Sequence, residues 1–329
     1  CHAVVIDPYC AFPVRGFPYS ESIALPTTQV NGITITYETQ GDPNGEPILL
    51  IMGLGMQLVS WPDSFCEGLV RQGFYVIRFD NRDSGLSTKL THLGKPNTTL
   101  AVLKMMLRMP LKSGYTLNDM AADAIGVLDA LGIARAHIVG ASMGGMIAQI
   151  VAGKYPDRTL SLTSIMSSSG RRGLPGPTKE ARKILFAKPP DPNQIDRVVD
   201  HFVNTLRVIG SRDYLAPDDV LHHRIAQTVA RNLDPIGTTR QLLAIAASGD
   251  RVALLKNLQV PTLVIHGKDD PLVPIACGRE TAHLVPNAVL QEIEGMGHDL
   301  PDDLNPHITQ LIGDHCRAAS QVELAEQSR

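Results

Sequence analysis

Ala136-His137-Ile138-Val139-Gly140-Ala141-Ser142-Met143-Gly144-Gly145 is the stretch that decides the fold. A short, largely apolar run of strand length ends in a glycine-flanked serine. A helical pattern follows at once through Met146, Ile147, Ile150 and Val151. A turn this tight leaves no room for side chains at Gly140 and Gly144. It holds Ser142 out at the carboxyl end of a strand, before a helix N-terminus whose unpaired N–H groups carry positive partial charge. A Gly-x-Ser-x-Gly string is weak by itself. Between a strand and a helix it reads as a turn that presents a nucleophile.

Outward from this turn, apolar runs recur at Ile48–Met52, Tyr75–Phe79, Leu160–Met166, Thr262–Ile265 and Val289–Ile293. Each is bounded by Gly, Pro or polar residues. Continuous apolar strands suit a sheet covered on both faces. Helical patterns lie between them: Leu117, Met120, Ala121, Ala124, Leu128 and Leu131 follow the i, i+3, i+4 spacing of an amphipathic helix. Alternating strand and helix predict a doubly wound, mostly parallel α/β sheet. Before it, Val30-Asn31-Gly32-Ile33 signals a hairpin, and Ile33, Ile35 and Tyr37 alternate with polar residues as a half-buried strand does.

The alternation stops after Ser169. Residues 171–249 show helical patterns and prolines but no convincing strand, and Pro261-Thr262-Leu263-Val264-Ile265 resumes the sheet. The expected organisation is an irregular arm over 1–26, core over 27–170, a helical insertion over 171–249, core again over 250–316, and a polar tail over 317–329 that frays.

The 329 residues are 43% hydrophobic and 19% charged, with a net charge of -3. That composition builds a large core and offers no basic surplus for a nucleic acid or an anionic membrane. Five scattered cysteines, Cys1, Cys10, Cys66, Cys277 and Cys316, argue against a disulfide framework or a zinc site, and Cys66 and Cys277 read as packing thiols. No apolar run is long enough to span a membrane. No signal peptide is visible, and Cys1 reads as the product of initiator-Met removal rather than a lipidated terminus. A cytoplasmic monomer or homodimer is the expectation.

Serine needs a base. Among eleven histidines, His222 and His223 fall in the insertion and read as solvated. His298 sits in Gly295-Met296-Gly297-His298, just past a strand, on the sheet edge that carries Ser142. A carboxylate must fix the tautomer of that base. Lys268-Asp269-Asp270-Pro271 follows the strand ending at Ile265, and both aspartates are candidates. Asp270 is preferred because the proline after it suits the re-entering turn, with Asp269 the competitor. An oxyanion needs two N–H donors: Met143, directly after the serine, and Leu54 in the loop Met52-Gly53-Leu54-Gly55. Gly53 and Trp61, beside that loop, are candidate substrate contacts. Asp80, Arg82 and Asp83 read as a hydrogen-bonded brace. Met105, Met106 and Met109 are either an apolar entrance or ordinary packing.

Taken together, these residues resemble the α/β-hydrolase superfamily over roughly 28–316, and within it the chain is similar to the aclacinomycin methylesterase type. The matching segments are Met52-Gly53 with Trp61-Pro62, Arg78 to Ser87, Ala141-Ser142-Met143-Gly144, Pro261 to Ile265, and Gly295-Met296-Gly297-His298 followed by Leu300-Pro301. Many relatives carry His-Gly where this chain has Met52-Gly53, while the methylesterase type shares Met-Gly. The resemblance implies Asp270 as the acid, supports Leu54 and Met143 as oxyanion donors, and makes the insertion a lid. It implies a cofactor-free, metal-free carboxylic ester hydrolase acting through an acyl-enzyme on a small to medium, fairly apolar ester. The same triad could instead cleave a carbon–carbon bond or a lactone, or form a peracid. A low-turnover binding protein would show a broken triad, and all three members are present here.

Overall fold

A computed structural model describes residues 25–327 except Arg108, Phe186, Lys188, Pro189 and Pro192. Most of the expected arm, with Cys1 and Cys10, lies outside the described residues. Eight strands form one sheet: β1 (Thr27–Val30), β2 (Ile33–Gln40), β3 (Glu46–Ile51), β4 (Phe74–Phe79), β5 (Ala136–Ala141), β6 (Thr159–Ile165), β7 (Thr262–Gly267) and β8 (Val289–Ile293). Their order is β1-β2-β4-β3-β5-β6-β7-β8. β1 and β2 run antiparallel to their neighbours, and β4 onward is parallel. The β1–β2 hairpin turns on Asn31 and Gly32, both at positive φ (48° and 77°), the backbone that Asn-Gly adopts most readily.

The connecting helices are α1 (Asp63–Val70), α2 (Thr98–Met106), α3 (Leu117–Ala130), α4 (Met143–Lys154), α5 (Lys179–Leu185), α6 (Ile195–Ile209), α7 (Asp218–Arg231), α8 (Pro235–Ser248), α9 (Val252–Lys256), α10 (Ile275–Leu284) and α11 (Asn305–Gln327). Pleating sends alternate residues of β3 to opposite faces. Leu49 and Ile51 join Ile138, Ile147 and Leu128 under α3 and α4. Ile48 and Leu50 join Val139, Phe65 and Ile308 under α1 and α11. This two-sided burial is why the central strands are apolar throughout. Capping is local: Thr116 N–H donates to the Asp119 carboxylate ahead of α3, and Gly237 N–H donates to Asp234 at the head of α8.

The expectation of a fraying tail after Cys316 is corrected. α11 runs to Gln327, and its Ile308, Ile312, Cys316 and Ala319 repeat at helical spacing and are all buried. Arg317 and Ser320 add hydrogen bonds to Gln72 and Glu46.

Between β6 and β7 the described residues contain helices and no strand. α6 and α7 share a small core of their own, Val198, Val199, Val203, Ile225 and Val229. α8 differs: its Ala244 belongs to the core under α3 and α4. Polar contacts tie this region to the sheet. Arg240 on α8 forms a two-point pair with Asp83 (2.7 and 2.8 Å), and Arg231 on α7 reaches Asp80 (2.8 Å). Both carboxylates are fully buried, and each also accepts backbone N–H bonds, Asp80 from Leu58 and Leu86, Asp83 from Leu90. Arg82 pairs with Asp123 (2.6 Å). The Asp80–Asp83 segment thus braces the fold.

Candidate active site

Ser142 stands between β5 and α4 with φ 55° and ψ −117°, a backbone that costs a non-glycine residue about 1–3 kcal/mol. Its neighbours impose it. A Cβ on Gly140 would lie 2.1 Å from the Gly144 carbonyl oxygen, and one on Gly144 would lie 1.9 Å from the Ile51 carbonyl oxygen. Ser142 N–H continues the β5–β6 ladder by donating to Ile165 O (2.9 Å), and Ser167 Oγ donates to Ser142 O (2.7 Å). The close approach at Gly144 also packs the first turn of α4 against the end of β3, where the loop Met52–Met56 begins.

His298 lies beyond β8. Its Nε2 is 2.9 Å from Ser142 Oγ, and its Nδ1 is 2.7 Å from Asp270 Oδ2. The three side chains come from loops after β5, β7 and β8. Asp270 is buried, and its other oxygen accepts the N–H groups of Leu272 and Val273 (both 2.8 Å), which orients the carboxylate toward the imidazole. Asp269 does something else: it accepts Gly295 N–H (3.0 Å) and fixes the strand end. His266 sits 3.7 Å from Asp270. Burial pushes its imidazole below the ordinary range, and its Nε2 lies 2.7 Å from Val273 O.

Met143 is the first residue of α4, so its N–H has no acceptor within the helix. Leu54 is half-buried in the Met52–Met56 loop. Gly53 packs on the serine itself: a Cβ there would be 3.2 Å from Ser142 Cβ. Trp61 is the other candidate substrate contact beside Gly53. It is wholly buried and stacks near Phe65, with ring centroids 5.0 Å apart, in the core under α1. Its ring is held by packing, and its buried Nε1–H meets no acceptor among the described residues. Met109 is half exposed, and the side chains of Met105 and Met106 lie outside the described ones.

Across residues 46–303, the sequence matches the family model of the alpha/beta hydrolase fold. The chain belongs to the α/β-hydrolase family. This hydrolase is 29% identical over 318 residues to rhodomycin D methylesterase of Streptomyces peucetius, covering 90% of this chain and 100% of that one. Among solved structures it is similar to a meta-cleavage product hydrolase from Pseudomonas fluorescens IP01 (TM-score 0.69, 20% identity, 91% and 100% covered). It is also similar to the enol-lactonase from Burkholderia xenovorans LB400 (TM-score 0.66, 24% identity, 88% and 99% covered). At these identities the two structures speak for the fold alone.

Sequence reading missed several residues around the hydrolase site. Ser211, after α6, donates to Asp299 and accepts Gly297 N–H (2.8 Å), while His298 N–H donates to Ile209 O (2.7 Å). The end of α6 therefore holds the histidine loop. Burial pushes the Asp299 carboxyl above its ordinary range, opposed by its bonds from Ser211. Arg251 is buried behind the serine turn, bonded to Ser168 O (2.8 Å) and Gln149 (2.9 Å), and burial lowers its guanidinium to about 10. No sequence pattern announces such contacts, since the partners lie far apart along the chain. Among the described residues no group of acidic, His or Cys side chains is arranged to hold a metal ion, and no helix is long and apolar enough to cross a membrane.

Proposed function

We propose that the protein is a serine-dependent carboxylic ester hydrolase, with Ser142 as nucleophile, His298 as base and Asp270 as the acid that orients it. The observation that carries this reading is the unbroken chain from Ser142 Oγ through His298 to Asp270, at 2.9 and 2.7 Å. The similarity to a methylesterase over nearly the whole chain supports an ester rather than another acyl compound. Fold by itself would not choose, because one fold serves many reactions.

In the proposed cycle Ser142 Oγ attacks the ester carbonyl as His298 Nε2 takes its proton, and Asp270 stabilises the imidazolium. The tetrahedral oxyanion rests on the N–H groups of Met143 and Leu54, each worth about 3 kcal/mol of barrier. His298 then protonates the leaving alcohol. Water attacks the acyl-enzyme by the same route and frees the acid. α5–α8 cover the site as a lid, and their polar seating on Asp80 and Asp83 fixes the lid in place.

A fluorophosphonate probe should label the wild type and not Ser142→Ala, and Ser142→Ala should lose ester turnover by several orders of magnitude. Undiminished labelling or turnover in Ser142→Ala would remove the assignment.

A further inference from the structure

We propose that Gln241, on α8 and far from the serine in sequence, is a positioning residue for the oxyanion loop: its amide sets the direction of the Leu54 N–H. The proposal rests on the serine-hydrolase reading above.

Three consecutive peptide planes decide where Leu54 N–H points, and each is tied at one end. The Met52–Gly53 plane is held by Asn81 Nδ2, which donates to Met52 O (3.0 Å). The Gly53–Leu54 plane contains the Leu54 N–H itself, and its carbonyl accepts Met56 N–H (3.2 Å). The Leu54–Gly55 plane is held by Gln241 Oε1, which accepts Gly55 N–H (2.8 Å). The first two ties are internal to the sheet and its loop. The third comes from the helical insertion.

Gln241 suits the task. It is fully buried, and its Nε2 donates to Arg82 O (2.7 Å). A carbonyl partner on one side and an N–H partner on the other leave the amide a single orientation that satisfies both. α8 cannot slide past the loop either. Gly55 adopts φ +67°, and a Cβ there would lie 2.7 Å from Thr238 Oγ1 on the same helix. One residue before Gln241, Arg240 locks the helix to Asp83. A second link runs nearby: Gln57 donates to Thr228 O (2.8 Å) and accepts from Arg231 (2.6 Å), at the end of α7. Removing the Gln241 amide frees the Leu54–Gly55 plane to turn, and the oxyanion loses alignment with one donor while the ground-state ester keeps its contacts.

The test uses Gln241→Met, with Gln241→Asn as a milder variant too short to reach Gly55, and Val198→Ala as a control that loosens the α6–α7 core without touching α8 or the loop. Turnover of an activated ester, thermal stability, and affinity for a trifluoromethyl ketone that adds to Ser142 are measured for each. We expect kcat to fall about 10- to 100-fold in the Gln241 variants. KM should stay within about threefold, and ketone affinity should fall in parallel with kcat. Val198→Ala should lower the melting temperature and leave both readouts near wild type. Unchanged kcat and ketone affinity in either folded Gln241 variant would overturn the proposal, as would an equal loss in Val198→Ala. Failure of the underlying reading looks different: wild-type turnover would then survive Ser142→Ala.

Discussion

Two loops meet at Ser142, and they are shaped by opposite means. The serine turn is forced from within. Gly140 and Gly144 admit the backbone where any side chain would collide with a carbonyl at 2.1 or 1.9 Å, and the strain at Ser142 is absorbed by the β5–β6 ladder beside it. The loop Met52–Met56 is shaped from outside, by Asn81 and Ser84 some thirty positions along the chain and by Gln241 at a separation of 186. A site can therefore be half self-templated and half assembled by the rest of the fold. The first half is robust wherever the strand and helix form. The second depends on a helix that arrives late in the sequence.

That contrast breaks most violently at Gly144. Its Cβ would strike backbone, which cannot retreat, so Gly144→Ala should cost about 4 kcal/mol or more, read by denaturant unfolding. Gly53→Ala meets Ser142 Cβ at 3.2 Å and the Ala141 carbonyl oxygen at 3.3 Å, tight contacts rather than overlaps, and should fold with a loss of about 1 kcal/mol while slowing turnover. Near-equal stability of the two variants would dissolve the distinction.

The next test separates adjacent aspartates. Asp270→Asn should reduce kcat by about 10³- to 10⁴-fold, because an amide cannot hold the imidazole tautomer. Asp269→Asn loses only part of its bond to Gly295 N–H and should cost less than about tenfold. A crippling effect at Asp269 instead would reverse the roles.

The smallest effect concerns the histidine loop, which is held across the chain by Ser211. The buried Asp299 carboxyl binds its proton more tightly folded than unfolded. Its contribution to stability is therefore greatest at low pH and is lost as the pH rises above the ordinary carboxyl value. Asn keeps an acceptor for Ser211 and has no charge to bury. Asp299→Asn should raise the melting temperature slightly at pH 7 and flatten its fall between mildly acidic and neutral pH. A lower melting temperature at pH 7 would show that the carboxylate is a net stabiliser.

These tests also mark what the sequence could show. The strands, the turn at Ser142 and the place of His298 at a strand end were legible because each is written in a few neighbouring residues: an apolar run, a glycine, a strand end. Asp270 and Asp269 were poorly separated, since their difference lies in which one Leu272 and Val273 N–H groups turn toward His298. The nearness of Trp61 to the Met52–Met56 loop was visible in the sequence, whereas its burial beside Phe65 of α1 was not. The tail looked frayed because polar residues outnumber the buried stripe of Cys316 and Ala319. Gln241, Ser211 and Arg231 carried no signal, because a single polar side chain in a helix looks alike whether it faces solvent or a distant carbonyl.

The buried pairs of Asp80 with Arg231 and Asp83 with Arg240 have a consequence for engineering. Exchange of residues 171–249 for a foreign segment is an obvious route to new specificity. A graft without matching arginines would strand two carboxylates in the dry base of the transplant, each costing several kcal/mol unless it is neutralised. Chimeras should therefore carry both arginines and Gln241 with the donor helices, or replace Asp80 and Asp83 in the recipient, before any change in substrate choice is sought.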